Sequence, residues 1–350
     1  MRESDPRIEL SQGLSIVIPF FNEGKNTEKA LKCAVVASQK YHFPIEFLLV
    51  NDGSSDGYPK AENINGATLI NLNHAGRIST RLAGAQYAKY SNILFIDARV
   101  WMHPESLLNL ESLIAKYPNS QYWNGFVQSL NLHLPQVSIW ETLVRVGWSR
   151  IYSENKTIHF GLKDFDQYPK GTSIFVASKT DWMDGLRKLA LLESGSRVAI
   201  SDDTALIREF ASKSDIWIDT SFSADYSPRT SMQAFLKNAR YRGQTFVDSY
   251  WTSNTIFGKL VKYLPPTMLT SYFGIGLWSG LTGAFISVAG SIAFVEILFF
   301  TYSLRLWKDK SRATKEAAVL FPMLFSFGFG FASAYANRIL TIPSWRVRRR

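Results

Sequence analysis

The chain contains a single cysteine, Cys33. No disulfide can form within it, and no set of sulfur ligands exists for zinc. Cys33 falls in a helix-like segment, Asn26 to Ser38, and reads as a small buried hydrophobe. The glycine-rich fingerprint G-x-G-x-x-G is missing from the first strand-to-helix turn, which runs Pro19-Phe20-Phe21-Asn22-Glu23-Gly24, and no G-x-x-x-x-G-K-[ST] occurs anywhere. Both absences speak against dinucleotide oxidoreductases and P-loop nucleotidases. The first 13 residues are polar and charged with no apolar core, so no cleaved signal peptide is expected and the N-terminal part is expected in the cytoplasm. Acidic residues are outnumbered, 29 Asp and Glu against 39 Lys and Arg, for a formal net charge of +10. From Arg305 onward the cations flank apolar runs, a pattern that favours a membrane surface and not nucleic acid.

What is present is a regular alternation of strand and helix signals from residue 14 to about residue 117. Leu14 to Pro19 and Ile93 to Ile96 read as short buried strands, Glu46 to Val50 as a further strand and Thr68 to Leu72 as a fourth candidate. Helices are expected from Asn26 or Thr27 and from about Ile78 to Tyr90. The order implies βαβ units in an α/β sheet whose ligand sits beyond the carboxyl ends of the strands. At those ends the sequence places Asn22, Glu23, Asp52, Asp56 and Asp97, with Arg77 and Arg81 between. Acidic and basic groups converging on one edge suit a metal-bound diphosphate. Taken alone, Asn51 to Gly57 also reads as an ordinary Asn/Asp/Gly turn.

Further along, Ser201-Asp202-Asp203-Thr204 opens a helix that runs to about Ser212. Read by themselves, Ser201 or Asp202 is an N-cap, with acidic residues placed where they favour the helix dipole. The basic run Lys237 to Gln244 carries Arg240 and Arg242, which suit a phosphate or a cationic face beside a membrane. Tyr272 to Trp307 holds one acid, Glu296, and one base, Arg305. A bilayer crossing takes about 20 apolar residues, so this stretch is read as a tight hairpin broken near Gly290. Residues 317–337 form a further apolar segment, and Ile256 to Leu264 is expected to be an interfacial amphipathic helix ahead of Pro265-Pro266. The 305–315 loop and the tail Arg346 to Arg350 are both basic and both belong on the inside, which a plain third crossing would violate.

These blocks together resemble family 2 inverting glycosyltransferases. LSIVIPFFNE, LLVNDGSSDG, GRISTRLAGAQYAKYSNILFIDAR and SDDTAL follow the order and spacing of that family's I-P-x-x-N-E, V-D-D-G-S, A-R-N with F-x-D-x-D, and E-D-x-x-L. The resemblance implies a GT-A (nucleotide-diphospho-sugar transferase) mixed α/β sheet domain over 1–250, a linker over 251–266, and C-terminal transmembrane helices over 267–350, with the hairpin at about 272–307. It implies transfer of a sugar from a nucleoside diphosphate sugar to a lipid-linked or saccharide acceptor at the cytoplasmic face of the inner membrane, in cell-envelope or exopolysaccharide assembly. By the same resemblance Asp203 is the catalytic base, Asp97 the metal residue for Mg2+ or Mn2+, and Pro19, Asn22, Glu23, Asp52, Arg77 and Arg81 bind the nucleotide. Arg99, Arg240 and Arg242 are placed at the diphosphate or acceptor. Arg99 stands where a second aspartate is expected; a cation cannot ligate a metal, so metal use rests on Asp97, and Arg99 is free to meet the diphosphate itself. The alternative is a catalytically silent membrane scaffold or sugar-nucleotide sensor on the same fold.

Overall fold

The computed structural model describes residues 8–57, 66–148, 151, 157–195 and 201–340. The basic tail Arg346 to Arg350 lies outside them. The chain divides into two compact units, one made of Met1–Leu130, Arg145–Arg197 and Asp202–Pro228, the other of Asn131–Val144, Val198–Ser201 and Arg229–Arg350.

The first unit is built on one mixed sheet. Its strands are β1 (Leu14–Phe20), β2 (Ile45–Asn51), β3 (Thr68–Asn71), β4 (Asn92–Ile96), β5 (Val100–Met102), β6 (Tyr122–Ser129), β7 (Ile158–Phe160), β8 (Ile174–Ser178) and β9 (Ile216–Tyr226). The order is β3-β2-β1-β4-β8-β6-β9-β5, with β7 pairing β9. β3, β2, β1 and β4 run parallel, and β8 joins β4 antiparallel. Helices α1 (Gly24–Ser38) and α3 (Ser106–Lys116) belong to one core cluster; α2 (Arg77–Tyr87), α5 (Lys179–Gly195) and α6 (Asp202–Lys213) belong to the other. The strand residues sort by parity, as a pleat requires. Leu94 and Ile96 of β4 enter the first cluster, Ile93 and Phe95 the second; Ile174 and Val176 of β8 enter the first, Phe175 and Ala177 the second. Each central strand is therefore apolar on both faces, which is why four consecutive apolar residues were enough to mark it. α2 lies very close to the sheet at Gly84, where a Cβ would come within 2.5 Å of Val17 Cγ1.

The second unit contains residues 135–144 of α4 (Pro135–Gly147), α7 (Met232–Tyr250), α8 (Ile256–Trp307) and α9 (Lys310–Leu340). α8 is two helical arms joined at Gly280, whose φ of 72° and ψ of 179° are open to glycine and strained for other residues. Tyr272 Oη donates to Ser291 Oγ at 3.0 Å. In an unbroken helix those residues would stand about 28 Å apart, so the arms fold back on each other. The hairpin expected near Gly290 thus turns at Gly280, ten residues earlier. Its first arm is also longer than expected, because the helix that opens at Ile256 does not stop at Pro265-Pro266. Pro266 has no N–H to give Lys262 O; the hydroxyl of Tyr335 donates to that carbonyl at 3.2 Å instead. Ile256 to Leu264 is therefore the start of an arm and not a separate helix. The arms expose large apolar side chains, Trp278 at 94% and Leu281 at 79%. Both α8 and α9 are long and apolar enough to be candidate membrane spans. α9 is packed against α7 at glycine positions: a Cβ on Gly243 would meet Phe327 O at 2.1 Å, and one on Gly330 would meet Arg240 O at 2.0 Å. Small residues let the two backbones approach this closely.

Candidate active site

The carboxyl ends of β1, β2 and β4 carry the predicted polar residues. β2 ends at Asn51, and the chain turns through Asp52, which is 4% exposed. Its carboxylate accepts the backbone N–H groups of Ala75 at 2.6 Å and Gly76 at 3.1 Å, and lies 3.3 Å from His74 Nδ1. Asp52 thereby fixes the turn that starts α2. Asn22 holds the facing loop: its N–H donates to Ser54 Oγ, and its Oδ1 accepts the N–H of Ser55, each at 2.8 Å. Asn22 has φ of 51°, in the left-handed region that asparagine tolerates better than most residues. Pro19 pairs with Val50 beside this turn.

α2 then delivers two arginines one turn apart, Arg77 and Arg81, to the same helix face. Arg81 is 7% exposed. Its Nη2 donates to Asp97 Oδ1 at 2.9 Å, and its Nη1 to Thr172 Oγ1 at 3.2 Å. The same Nη1 lies 3.5 Å from Asp203 Oδ1 and 3.7 Å from Asp202 Oδ2. Arg77 Nη1 reaches Asp202 Oδ1 at 3.2 Å. The Thr172 hydroxyl donates to Asp203 Oδ1. Asp97 is set at the tip of β4, where its N–H donates to Ser173 O at 2.8 Å. Asp202 and Asp203 occupy the first turn of α6, where the helix dipole favours carboxylates.

Three carboxylates thus surround one buried guanidinium. Burial works against the Arg81 charge, but Asp97, Asp203 and Asp202 outweigh it and hold its pKa above the usual value. For Asp203 the balance runs the other way. Desolvation and then the neighbouring Asp202 push its carboxyl up to about 6, against the opposing pull of Arg81. The side chain still keeps 36% of its surface open, so a proton acceptor with a near-neutral pKa remains within reach of a ligand. That is the condition general base catalysis needs.

Arg99 is not presented as a free cation. Its Nε donates to Glu23 Oε1 at 2.8 Å and its Nη1 to Ser227 O at 3.0 Å. Two residues assigned separately, one to the nucleotide and one to the diphosphate, are one ion pair. Arg240 and Arg242 belong to the second unit. Their guanidinium carbons lie 4.4 Å from the ring centre of Phe329 and 4.3 Å from that of Trp140. Thr172 is not marked by any of the sequence motifs, and only its contacts with Arg81 and Asp203 bring it into the site. Asp202, read as a cap, is an ion-pair partner of both Arg77 and Arg81.

The residues at this edge do not assemble a metal centre on their own. Among the described residues no three His, Cys, Asp or Glu side chains are placed to hold a metal ion; the three carboxylates around Arg81 face its guanidinium. One oxygen of Asp97 is held by Arg81, and Arg99, two residues on, is a cation paired with Glu23. Elsewhere in the first unit a depression of about 340 Å3, lined by His103, Gln128, Arg145 and Ser223, contains none of the predicted residues.

Residues 15–175 match the family profile described as Glycosyl transferase family 2. Among curated proteins, the chain is 28% identical over 121 residues to the 4,4'-diaponeurosporenoate glycosyltransferase of Staphylococcus haemolyticus, covering 33% of this chain and 31% of the relative. It is 29% identical over 114 residues to the undecaprenyl-phosphate 4-deoxy-4-formamido-L-arabinose transferase of Serratia proteamaculans, covering 30% of this chain and 34% of the relative. The chain therefore spans about a third of the length of the curated relatives it matches. Among solved structures, the mannosyltransferase of Pyrobaculum calidifontis in complex with GDP-Man and Mn2+ superposes with a TM-score of 0.51 at 14% identity, over 87% of this chain and 86% of that one. The shared feature at that identity is the GT-A fold.

Proposed function

We propose that the protein, whose residues 15–175 match the glycosyl transferase family 2 profile, moves a sugar from a nucleoside diphosphate sugar to a lipid-linked acceptor at the cytoplasmic face of the inner membrane, with Asp203 as the base of a single inverting displacement. The observation that carries this reading is the Asp203 carboxyl, raised to about 6 yet held in place by Thr172 and Arg81. The acceptor O–H gives its proton to Asp203 as its oxygen bonds to C1 of the sugar. The bond from C1 to the diphosphate breaks, the nucleoside diphosphate leaves with the electron pair, and the configuration at C1 inverts. Arg81 positions Asp203 and Asp97. Arg77, with 65% of its side chain exposed, meets the diphosphate, while the loops held by Asp52 and Asn22 take the nucleoside. No step is routed through a metal, since the donor set does not build a site for one.

The relative named as an undecaprenyl-phosphate transferase supports a lipid-linked acceptor and a role in cell-envelope or exopolysaccharide assembly. The exposed apolar arms of α8 support membrane attachment, with Arg240 and Arg242 near the lipid phosphate. In this reading the α8 hairpin crosses and returns, while α9 stays beside the charged helix α7 without a third crossing. That arrangement keeps the 305–315 loop and the tail on one side, as the distribution of cations asks.

Calorimetric titration with UDP and GDP, with and without Mn2+ or Mg2+, tests the reading on the full chain and on Asp97→Ala and Asp203→Ala variants. The expected result is nucleotide binding that survives loss of Asp203, together with loss of turnover in that variant. Binding that needs Mn2+ and Asp97 adds a metal brought in with the nucleotide. Absence of nucleotide binding under every condition sinks the transferase. Binding with no transfer from any donor sugar leaves the sensor reading, which the closed ion pairs Arg81–Asp97 and Arg99–Glu23 favour.

A further inference from the structure

A cavity of about 310 Å3 in the second unit is lined by His133, Pro135 and Ser138 on one side and Asp309, Ser311, Arg312 and Lys315 on the other. The first group surrounds the start of α4, the second the start of α9, so two helix N-termini bring their positive dipole ends to one space. A helix N-terminus alone would be a weak argument. Here two buried polar atoms on the lining residues also lack a partner among the described residues. Ser138 is 1% exposed and its Oγ makes no hydrogen bond; Arg312 Nη2 is buried and likewise unpaired. A buried donor left without a partner costs about 1–3 kcal/mol, so such groups mark where a ligand belongs.

The rest of Arg312 is held firmly. Its Nε donates to Glu316 Oε1 at 2.9 Å, and its guanidinium lies 3.4 Å from the ring centre of Trp307. Glu316 is fully buried and also accepts the hydroxyls of Thr142 at 2.9 Å and Ser303 at 2.6 Å. The carboxylate thus orients the arginine and leaves Nη2 over. Lys315 adds a second cation, and Asp309 accepts the Arg312 N–H at 3.1 Å as the cap of α9. Asp309 and Glu316 balance Lys315 and Arg312 in formal charge, so the two helix starts and the two unpaired buried groups, Ser138 Oγ and Arg312 Nη2, are what favour an anion. The cavity's α9 side begins two residues after Trp307, the last residue of an apolar arm, and Arg305, Lys308 and Lys310 are close by in the chain. That is the level at which aromatic and basic residues meet lipid headgroups.

We infer that this cavity binds the phosphate of an anionic phospholipid headgroup, with Ser138 Oγ, Arg312 Nη2 and Lys315 Nζ as its donors. None of these residues belongs to the Arg81 cluster, and the inference uses the membrane reading only for the source of the phosphate. The test is the thermal midpoint of the full chain in neutral detergent, titrated with dioleoylphosphatidylglycerol, dioleoylphosphatidylcholine or inorganic phosphate. Wild type, Ser138→Ala and Lys315→Gln are compared; Arg312 is left alone because its loss would strand buried Glu316. Phosphatidylglycerol is expected to raise the wild-type midpoint and phosphatidylcholine to leave it in place. In Ser138→Ala the lipid-free midpoint stays at or above that of wild type, yet half-saturation by phosphatidylglycerol moves up about tenfold, the loss of one hydrogen bond to a charged group. Lys315→Gln moves in the same direction. An equal lipid response in all three proteins overturns the site. A variant-sensitive response to inorganic phosphate with none to phosphatidylglycerol overturns the lipid source. Recovery of the protein in the soluble fraction without detergent would count against the membrane reading, and a variant-sensitive phosphate response would still identify the anion pocket.

Discussion

The two charged sites of the molecule are built on opposite principles. At the strand tips of the first unit, each arm of the Arg81 guanidinium has an oxygen partner, and three carboxylates compete for it. At the start of α9 in the second unit, Arg312 has one carboxylate, Glu316, and keeps a buried N–H over. A closed network holds its members in place and tunes them: burial and then Asp202 raise the pKa of Asp203, and Arg81, shared among three carboxylates, only partly offsets them. An open one is shaped for a group that comes from outside. The same residue type is a positioning residue in one region and a binding residue in the other, and the partner list, not the charge, decides which.

The comparison can be broken most severely at Asp203. Asp203→Asn removes the proton acceptor but keeps the shape, so turnover should fall about 10²–10⁴-fold, read as nucleoside diphosphate release, with nucleotide affinity retained. Next comes Arg81→Met, which leaves Asp97, Asp202 and Asp203 facing one another in a buried site. Breaking a buried ion pair in this way costs about 3–5 kcal/mol, measurable as a lowered denaturant midpoint. Gly280→Val tests the hairpin and not the charges. At φ of 72° and ψ of 179° the backbone is in a region open essentially to glycine, where another residue costs on the order of 1–3 kcal/mol, so the thermal midpoint in detergent should drop by a few degrees. The mildest change sharpens the contrast instead. The Lys40–Glu105 pair is exposed on both sides, and Lys40→Ala should alter stability by less than about 1 kcal/mol.

Much of the first unit was legible in the sequence because its strands are short and apolar on both faces. Ile93 to Ile96 marked β4, and Asp97 followed at its end without any long-range information. The helix start at Asp202 was equally local. What stayed hidden were pairings between distant segments. Thr172 meets Arg81 from 91 positions away and Asp203 meets it from 122, and no local pattern couples such positions. The same holds for Arg99, whose forked side chain suits phosphate in the abstract but is taken by Glu23. In the second unit Gly280 and Gly290 are indistinguishable as letters in an apolar run; only the backbone angle shows which one turns. Pro265-Pro266 looked like a helix end because the rescue of Lys262 O by Tyr335 comes from a different helix. The Ser138–Arg312 cavity left no motif at all, since neither residue stands out without the other.

The central claim is that Asp203 is the proton acceptor, and the pH dependence of transfer tests it most directly. A carboxyl must be ionised to act as a base, so a raised pKa moves the loss of activity to higher pH. The rate of nucleoside diphosphate release at saturating donor and acceptor should be flat above neutrality and fall to half near pH 6. The small residual rate of Asp203→Asn should lack that inflection. A wild-type rate that holds steady down to pH 4, or an Asp203→Asn variant with the wild-type rate and profile, would contradict the account.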